Sequence, residues 1–252
     1  MKLKVLKDFI GRYWILIFLL LLKFILQFML VNPVYELHRD EFLHLDQADH
    51  LAFGFISVPP FTALVSKLIF LLGGNIFWIR FFPALFGALT IVFVWLTVEA
   101  TGGNLFSRIL ASTALLFSVM MRINVLYQPS SFDILAWTMI FYLQIRYVQS
   151  DKPKWLYILV FVVAAGFYNK YNIVFLLFGL VGGLGLTSQR SLFRKASLWK
   201  ALFILVLLLM PNLIWQFFHH CPVVEHMKVL KIRQLDNNTS LGFLKDQTMF
   251  FS

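Results

Sequence analysis

The sequence predicts an all-α protein that crosses a membrane several times. Of its 252 residues, 60% are hydrophobic and 13% are charged, whereas soluble globular domains contain about 45–50% apolar and about 25% charged residues. The apolar residues fall in long runs that are separated by short polar turns. This composition excludes a soluble globular domain, and it excludes a disordered chain because disorder needs low hydrophobicity and high net charge.

The first apolar run is an uncleaved membrane anchor. Four basic residues precede an apolar run over residues 13–31, and its length of about 19 residues is enough to cross about 30 Å of hydrocarbon. A cleaved signal peptide has a shorter apolar core and a small-residue cleavage site. Lys23 interrupts the run, so we expect its side chain to face another helix or a headgroup.

Seven further apolar runs follow, with turns too short to contain an inserted soluble domain. They lie at about residues 60–77, 80–98, 108–126, 131–148, 155–168, 171–186 and 201–218. Two of them, 155–168 and 171–186, are short for a span of about 20 residues. The run 60–77 begins at the Pro59-Pro60 pair and carries Lys67 near its centre. Hydropathy alone therefore does not decide whether this run crosses the membrane.

The distribution of basic residues indicates that the run 60–77 does not cross the membrane. Lys and Arg concentrate in short cytoplasmic loops. If this run stays at the surface, twelve basic residues share the cytoplasmic side: Lys2, Lys4, Lys7, Arg12, Arg108, Arg146, Lys152, Lys154, Arg190, Arg194, Lys195 and Lys200. If it crosses, the last eight move outside. The sequence therefore predicts about seven crossings, a cytoplasmic N-terminus and an interfacial or re-entrant helix at 60–77.

The formal net charge of +10 does not indicate a nucleic-acid partner. The basic residues lie between apolar runs and form no continuous patch, which is typical of the cytoplasmic loops of membrane proteins. The chain has one cysteine, Cys221, and no Cys/His zinc spacing, so the sequence predicts neither a disulfide framework nor a zinc finger.

The first outer loop, residues 32–79, contains the densest polar chemistry in its first half. The ionisable residues of that half are Glu36, His38, Arg39, Asp40, Glu41, His44, Asp46, Asp49 and His50. Adjacent Asp40 and Glu41 would point about 100° apart on a helix, so they cannot share one proton as a catalytic dyad does. We expect one carboxylate to act and the other to position it; a solvated juxtamembrane helix is the alternative.

The histidines on the predicted outer face make a divalent metal a further hypothesis. Asp40 with His44, or Asp46 with His50, would supply two ligands four residues apart on one helix face, and His219 or His220 would add a third from another loop. Zinc accepts such sets of nitrogen and oxygen ligands. However, His38, His44 and His50 are six residues apart and match no helical face, so the candidate ligands His44 and His219 belong to no recognised metal motif.

Four other polar residues border the predicted spans on the same outer side, and each has two interpretations. Asp133 is either the N-cap of a helix or a site residue. Lys170 and Arg80 either extend to lipid headgroups or hold a lipid phosphate. Asn212, next to Pro211, either satisfies backbone groups freed by the proline or contributes to the site.

Several short motifs occur in an order that resembles a known family. They are Asp40-Glu41, Leu51-Ala52-Phe53-Gly54-Phe55, Pro59-Pro60, Arg80-Phe81-Phe82-Pro83, Ser131-Phe132-Asp133, Asn169-Lys170-Tyr171 and Pro211-Asn212-Leu213-Ile214-Trp215-Gln216. This series is similar to the GT-C membrane glycosyltransferases, in particular the bacterial members of the protein O-mannosyltransferase and lipid A aminoarabinose transferase superfamily. Each motif is weak by itself, whereas the ordered series over about residues 10–252 is fairly specific.

The resemblance implies an inverting transfer of a sugar from a polyprenyl-phosphate lipid to a lipid, glycan or protein acceptor, at the outer face of a bacterial inner membrane. Family members use the aspartate of the Asp-Glu pair, here Asp40, as general base. Such a displacement needs a carboxylate near the acceptor hydroxyl and cations at the departing phosphate. Lys170 is the first candidate for that cation and Arg80 the second.

Three departures from the family pattern limit what the resemblance implies. Ser57 and Val58 stand where related sequences often have an acidic residue before the Pro-Pro pair, so a second carboxylate or metal ligand is missing there. Leu43 replaces the arginine of the aminoarabinose branch, which disfavours that donor. Family members are also longer, so we expect a GT-C-like transmembrane module at 1–218 and an outer loop at 219–252 that leads to a further membrane segment.

Two other functions remain open at this level. A carrier or transporter of lipid-linked sugar would use the same outer face without breaking a bond, although the chain shows none of the internal repeats typical of transporters. An inactive remnant would keep the polar loop and lack the spans that close its cavity. In each case the expected partners are the membrane and the donor lipid, and not a nucleic acid.

Overall fold

The computed structural model of the chain describes residues 2–31, 37–235 and 239–251. Glu36 of the polar loop lies outside this part. The described part is helical and contains no β-strand, as the composition predicts. Its α-helices are α1 Lys2–Met29, α2 Arg39–Asp46, α3 Phe61–Leu71, α4 Ile76–Ala100, α5 Leu105–Leu116, α6 Met120–Ile123, α7 Pro129–Ser150, α8 Pro153–Asn169, α9 Ile173–Leu186, α10 Ala196–Phe218, α11 Pro222–Leu230 and α12 Ser240–Phe251.

Length and hydropathy make several of these helices able to span a bilayer. Three helices of the described part, α1, α4 and α10, are long and apolar enough by themselves, and α9 with the 3₁₀-helix Ser188–Arg194 forms a fourth, bent by 108°. The apolar helices α3, α5 and α8 are shorter. The chain is therefore an all-α polytopic membrane protein.

The predicted span 108–126 is not one helix. Helix α5 ends at Leu116, and α6 covers only Met120–Ile123. Ser118 occupies the break, where its hydroxyl donates to the Leu115 carbonyl at 2.8 Å and accepts from the Met120 N–H at 3.2 Å. A serine that bonds to nearby backbone groups competes with the helical hydrogen bonds, which accounts for the interruption.

Helices α1 and α4 run antiparallel, and this determines the path of the chain between them. Arg12 near the start of α1 pairs with Glu99 near the end of α4 at 2.6 Å, whereas Phe28 and Phe77 stack at 5.3 Å at the opposite ends. The segment between α1 and α4, which contains α2 and α3, therefore starts and finishes at the same end of the bundle. Helix α3 has 11 residues, or about 16 Å, against about 30 Å of hydrocarbon, in agreement with the surface path predicted from charge.

Within the described residues, the chain passes between the two ends of the bundle seven times, in α1, α4, α5 with α6, α7, α8, α9 and α10. At the end that we call the basic end, Arg108 of α5 lies 3.5 Å from Glu99, and Gln149 of α7 donates to the Ala100 carbonyl at 2.6 Å. At the other end, the loop end, lie α2 and α3. The number of passages agrees with the predicted topology, while the number of membrane crossings stays a prediction because α5, α8 and α9 are short.

Four apolar clusters pack the described part of the bundle, and two of them have the most buried members. One joins α7, α8 and α9, and its buried members are Ala136, Ile140, Leu143, Val162, Val163, Phe167, Ile173 and Leu176. The other joins α1, α4, α5 and α6 around the fully buried Trp95. Lys23 lies beside this second cluster, where it donates to Gln27 and its Nζ is 3.3 Å from Met121 Sδ. The intramembrane lysine therefore faces neighbouring helices and not the lipid headgroups.

Candidate functional site

Helix α2 begins with the acidic pair because His38 caps it. The His38 ring accepts a hydrogen bond from the Asp40 N–H at 3.2 Å, and Glu41 accepts one from the His38 N–H at 2.8 Å, which together form a capping box. The two adjacent carboxylates then face different surroundings. Glu41 is fully buried, whereas the side chain of Asp40 is 39% exposed.

Glu41 is the centre of a buried polar cluster that joins three elements. Its Oε1 accepts hydrogen bonds from the Arg80 guanidinium of α4 and from the Tyr127 N–H, the latter at 2.6 Å. The same Arg80 nitrogen also donates to the Val125 carbonyl at 2.8 Å. Because Arg80 is buried and its charge is neutralised by Glu41, this guanidinium is engaged inside the protein and is not presented to a lipid phosphate.

Tyr127 extends the same cluster to α3. Its hydroxyl donates to the Thr62 carbonyl at 2.7 Å and lies 2.9 Å from the Ser66 hydroxyl, which also donates to the His44 carbonyl at 2.7 Å. Burial raises the pKa of Tyr127, so the phenol stays neutral and keeps its proton for these bonds. Tyr127 thus fixes α2, α3 and the start of α7 relative to one another.

Asp40 lies at the open side of this cluster and faces the start of α7. Gln128, the N-cap residue of α7, donates from Nε2 to Asp40 Oδ2 at 3.3 Å. Arg39 lies 3.3 Å from the other carboxylate oxygen, but its own side chain is 91% exposed. Asp40 is therefore a partly accessible carboxylate that is held in position at the edge of the fold.

The turn between α8 and α9 presents Lys170 and is fixed by the residues on either side of it. Asn169 donates to the Pro129 carbonyl at 2.9 Å, and Asn172 donates to Asp133 Oδ2 at 2.7 Å. Lys170 is exposed, and within the described part its side chain makes no hydrogen bond and no ion pair. The turn therefore holds an unpaired cation at a defined position.

The start of α7 connects these two parts of the loop end. Gln128 contacts Asp40, and the next residue, Pro129, accepts the hydrogen bond from Asn169, which directly precedes Lys170. The acidic pair of the first loop and the lysine near the middle of the chain therefore share one end of the bundle. This is the arrangement that a common site requires.

Asn212 joins α10 to the first loop and to the same turn. Its amide nitrogen donates to the Phe53 carbonyl at 2.6 Å, and its oxygen accepts from the Tyr171 hydroxyl at 3.1 Å. Gln216, one turn further along α10, donates to the Tyr171 hydroxyl at 3.0 Å. Both amide atoms of the buried Asn212 are used in protein contacts, so it anchors the walls of the site.

Comparison with protein-family models matches residues 57–215, more than half of the chain, to the family described as dolichyl-phosphate-mannose-protein mannosyltransferase. The chain belongs to this family. No curated protein and no solved structure matches the chain. Membership of this mannosyltransferase family confirms the GT-C resemblance and indicates a membrane glycosyltransferase.

The family match covers part of the candidate site. Arg80, Asp133, Lys170 and Asn212 lie inside the matched range, which begins at residue 57. The Asp40-Glu41 pair precedes that range. The assignment of Asp40 as general base therefore depends on its position beside the matched residues and on the order of motifs in the sequence.

The candidate metal ligands of this mannosyltransferase-family chain are not assembled into a site. His44 is buried edge-on to Tyr127 with ring centroids 6.4 Å apart, and burial lowers the pKa of His44. His219 stacks on Trp215 at 4.2 Å. Among the residues that the structure describes, no three His, Cys, Asp or Glu side chains are grouped to hold a metal ion. The arrangement does not fit a divalent metal on His44 and His219.

Four residues that hold the site together were not predicted from the sequence as site residues, although Gln216 lies within one of the family motifs: Tyr127, Gln128, Asn172 and Gln216. A local signal existed for one of them. The segment 168–172 reads Tyr-Asn-Lys-Tyr-Asn between two apolar runs, and five polar or amphipathic residues in succession at a membrane boundary indicate a site. The other three act through contacts with distant segments, which no local pattern in the sequence shows.

Proposed function

We propose that this chain transfers a sugar, with inversion, from a polyprenyl-phosphate donor to a hydroxyl group of an acceptor at the loop end of the bundle. The proposal rests on one observation above all. In a chain of the mannosyltransferase family, a partly exposed carboxylate, Asp40, and an unpaired cation, Lys170, lie on either side of the start of α7. An inverting displacement needs these two charges near the reacting atoms.

Asp40 is the proposed general base. The acceptor hydroxyl oxygen attacks the anomeric carbon and forms the new glycosidic bond, while its proton passes to a carboxylate oxygen of Asp40. The bond between the anomeric carbon and the phosphate oxygen breaks, and its electron pair leaves with the phosphate. Gln128, which donates to Asp40 Oδ2 at 3.3 Å, orients the carboxylate for this step.

Lys170 is the proposed partner of the departing phosphate. Negative charge grows on that phosphate as the bond breaks, and an ammonium group held nearby stabilises it. Arg80, the second candidate cation from the sequence, is assigned a positioning role and not contact with the phosphate. Through its bond to Glu41 it positions α2, and with α2 the base Asp40.

The loop end is proposed to face outward from a bacterial inner membrane. Arg12, Arg108 and Lys195 lie at the opposite, basic end, and basic residues favour the cytoplasmic side. A carrier lipid cannot leave the bilayer, so a site at the membrane boundary meets both the lipid phosphate and a water-exposed acceptor. The acceptor class is a lipid, a glycan or a protein.

The test compares two carboxylate variants of α2 in proteoliposomes that contain mannosyl phosphoryl undecaprenol and a membrane extract as acceptor source. We expect D40N to lose at least about a hundredfold in transfer, in the range for loss of a general base. D46N is the matched control, because Asp46 is exposed on the same helix and its side chain makes no hydrogen bond or ion pair within the described part; it should transfer like the wild type.

Each outcome separates the candidate functions. Transfer by D40N at the wild-type rate, in a normally folded protein, would exclude Asp40 as the base. Wild-type protein that moves the labelled lipid across the bilayer without releasing undecaprenyl phosphate is a carrier and not a transferase. Wild-type protein that does neither is inactive as this chain.

A further inference from the structure

We infer that Asp133, Trp137, Asn169 and Asn172 form a recognition site for the hydroxyl groups of the donor's sugar, next to the phosphate partner Lys170. The inference deepens the proposed function and rests on it. It assigns the sugar ring to the space beside the first turns of α7, and it assigns those residues to specificity and not to the bond-breaking step.

The first observation is a surplus of hydrogen-bond acceptors. Asp133 is 9% exposed, and only its Oδ2 has a partner, the amide of Asn172. Its Oδ1, together with the side-chain oxygens of Asn169 and Asn172, is buried without a hydrogen-bond partner in the described part of the chain. Buried polar atoms in native proteins almost always have partners, so three unpaired acceptors around one turn require an explanation.

The second observation concerns Trp137, which lies one turn after Asp133 on α7 and beside its carboxylate. The indole N–H of Trp137 is also buried; it lies close enough to interact with the Asp133 carboxylate as a donor, but within the described part of the chain it makes no hydrogen bond of ordinary geometry. A hydroxyl group both donates and accepts. One hydroxyl therefore satisfies Asp133 Oδ1 and the Trp137 N–H together, which neither a purely donating nor a purely accepting ligand can do.

The charges decide which class of ligand fits. A metal cation is disfavoured, because the ammonium group of Lys170 lies in the same turn and acts electrostatically on Asp133. A bare phosphate is disfavoured beside the Asp133 carboxylate, since like charges repel. A glycosyl phosphate fits both parts, because its hydroxyls donate to the three oxygens and its anion pairs with Lys170.

Asn172 and Lys170 connect these buried residues to the surface of the protein. Asn172 is half-buried and Lys170 is exposed, so a ligand whose phosphate contacts Lys170 extends its sugar toward Asn172 and from there toward Asp133. Asn169 bonds to the Pro129 carbonyl and Asn172 bonds to Asp133, which holds the acceptors in place before a ligand binds. Such preorganisation makes discrimination between sugars sharp.

The experiment measures dissociation constants of the full chain in lipid nanodiscs for three kinds of probe: mannosyl phosphoryl undecaprenol, its 2-, 3-, 4- and 6-monodeoxy analogues, and undecaprenyl phosphate. The wild type should bind at least one deoxy analogue about tenfold or more weakly than the parent, since a buried group left without its partner weakens binding by this order. D133N should bind the parent and that analogue with nearly equal affinity.

Two controls isolate the sugar from the phosphate. D151N removes a carboxylate from the basic end of the same helix, where Asp151 pairs with Lys195, and should keep the wild-type preference. K170M should weaken the binding of undecaprenyl phosphate, whereas D133N should leave that binding unchanged. If D133N does not fold, W137F removes the indole donor, keeps an aromatic ring at this position and should also reduce the discrimination.

The inference fails if the wild type binds all deoxy analogues as tightly as the parent donor. It also fails if D133N weakens the binding of undecaprenyl phosphate as much as the binding of the sugar donor. A D133N protein with altered stability and unchanged sugar preference would show that the unpaired acceptors hold an ordered water only. Failure of the proposed function is a separate result: discrimination between sugars without release of undecaprenyl phosphate would leave the recognition site intact in a carrier.

Discussion

A fully buried carboxylate depends on every partner that it has. Glu41 accepts from Arg80, from the Tyr127 N–H and from the His38 N–H, so removing either member of the ion pair leaves the other charge buried. Asp40, one residue earlier, is partly exposed and has weaker contacts. Neighbouring residues of the same chemical type therefore have different functions, one in structure and one proposed in chemistry.

We expect E41A to lower the free energy of unfolding by about 3–5 kcal/mol, because it strands the Arg80 guanidinium in a buried environment. The measurement is equilibrium unfolding in mixed micelles. The double variant E41L/R80M removes both charges and should recover part of this loss. Equal losses for the single and the double variant would contradict the view that the unpaired guanidinium is what destabilises the protein.

An exposed ion pair near the same site supplies the control for E41A. Lys67 and Asp49 lie 3.5 Å apart, and their side chains are 44% and 74% exposed. Exposed pairs contribute about 0–1 kcal/mol, so D49A should change the free energy of unfolding by no more than this. A loss in D49A as large as that of E41A would mean that charge in the first loop matters irrespective of burial.

At the scale of the elements, the first loop is held against α10 by a close approach at Gly54. A Cβ atom at Gly54 would overlap the Trp215 ring, and the neighbouring Phe53 carbonyl accepts from Asn212. At position 54 of the loop that follows α2, only glycine therefore leaves enough room for the Trp215 ring. This contact ties the first loop to the last long helix, across most of the sequence.

We expect G54A to destabilise the protein by about 1–3 kcal/mol, the usual cost of forcing extra atoms into a packed contact, and to reduce transfer by displacing the first loop. The matched control is G179A, since a Cβ there meets no atom within 4 Å and alanine is about 1 kcal/mol better than glycine in a helix interior. Thermal unfolding of both variants provides the comparison, and wild-type stability in G54A would contradict the close packing.

Prediction of the elements from sequence succeeded where an apolar run coincided with one helix, as for α4 and α10. It was wrong about the run 108–126, because hydropathy averages over the break that Ser118 makes through its backbone bonds. The capping of α2 is readable in principle from His38 and Glu41, three residues apart. What the pattern does not show is that the capping glutamate also pairs with an arginine on another helix.

For the whole molecule, the antiparallel α1 and α4 place the first loop and the α8–α9 turn at the same end. Which side of the membrane this end faces is a prediction from charge. Cys221 is exposed and free and lies just after α10, at the loop end, so it is a natural reporter. Its φ of +53° argues against replacing it by a bulky residue.

We expect Cys221 in the native chain to react with a membrane-impermeant maleimide added outside intact cells. T101C and S188C, made in a C221S background, should react only after permeabilisation, because Thr101 and Ser188 are exposed at the basic end. D49C in the same background should label from outside. Labelling of T101C from outside, or of D49C only from inside, would place the proposed site on the cytoplasmic face.

The candidate residues were predicted from the sequence for physical reasons, and their roles stay predictions. Asp40, Asp133 and Lys170 were predicted because a charge beside an apolar run is costly in a membrane and therefore conspicuous. Arg80 was found for the same reason, but a sequence does not show that its charge is neutralised by Glu41. Gln128 was not found, since an uncharged residue at a helix start is ordinary.

The amino-acid sequence alone determined that this chain is a helical membrane protein, and it predicted that the basic residues favour one side and that the acidic and histidine residues of the first loop gather at the opposite boundary. These properties depend on composition and on order along the chain, because lipid rejects charge wherever it occurs. Only the tertiary structure decided which carboxylate is buried, which cation is left unpaired, and which acceptors lack donors. Pairing is a property of positions in space, and the partners here are separated by dozens of residues.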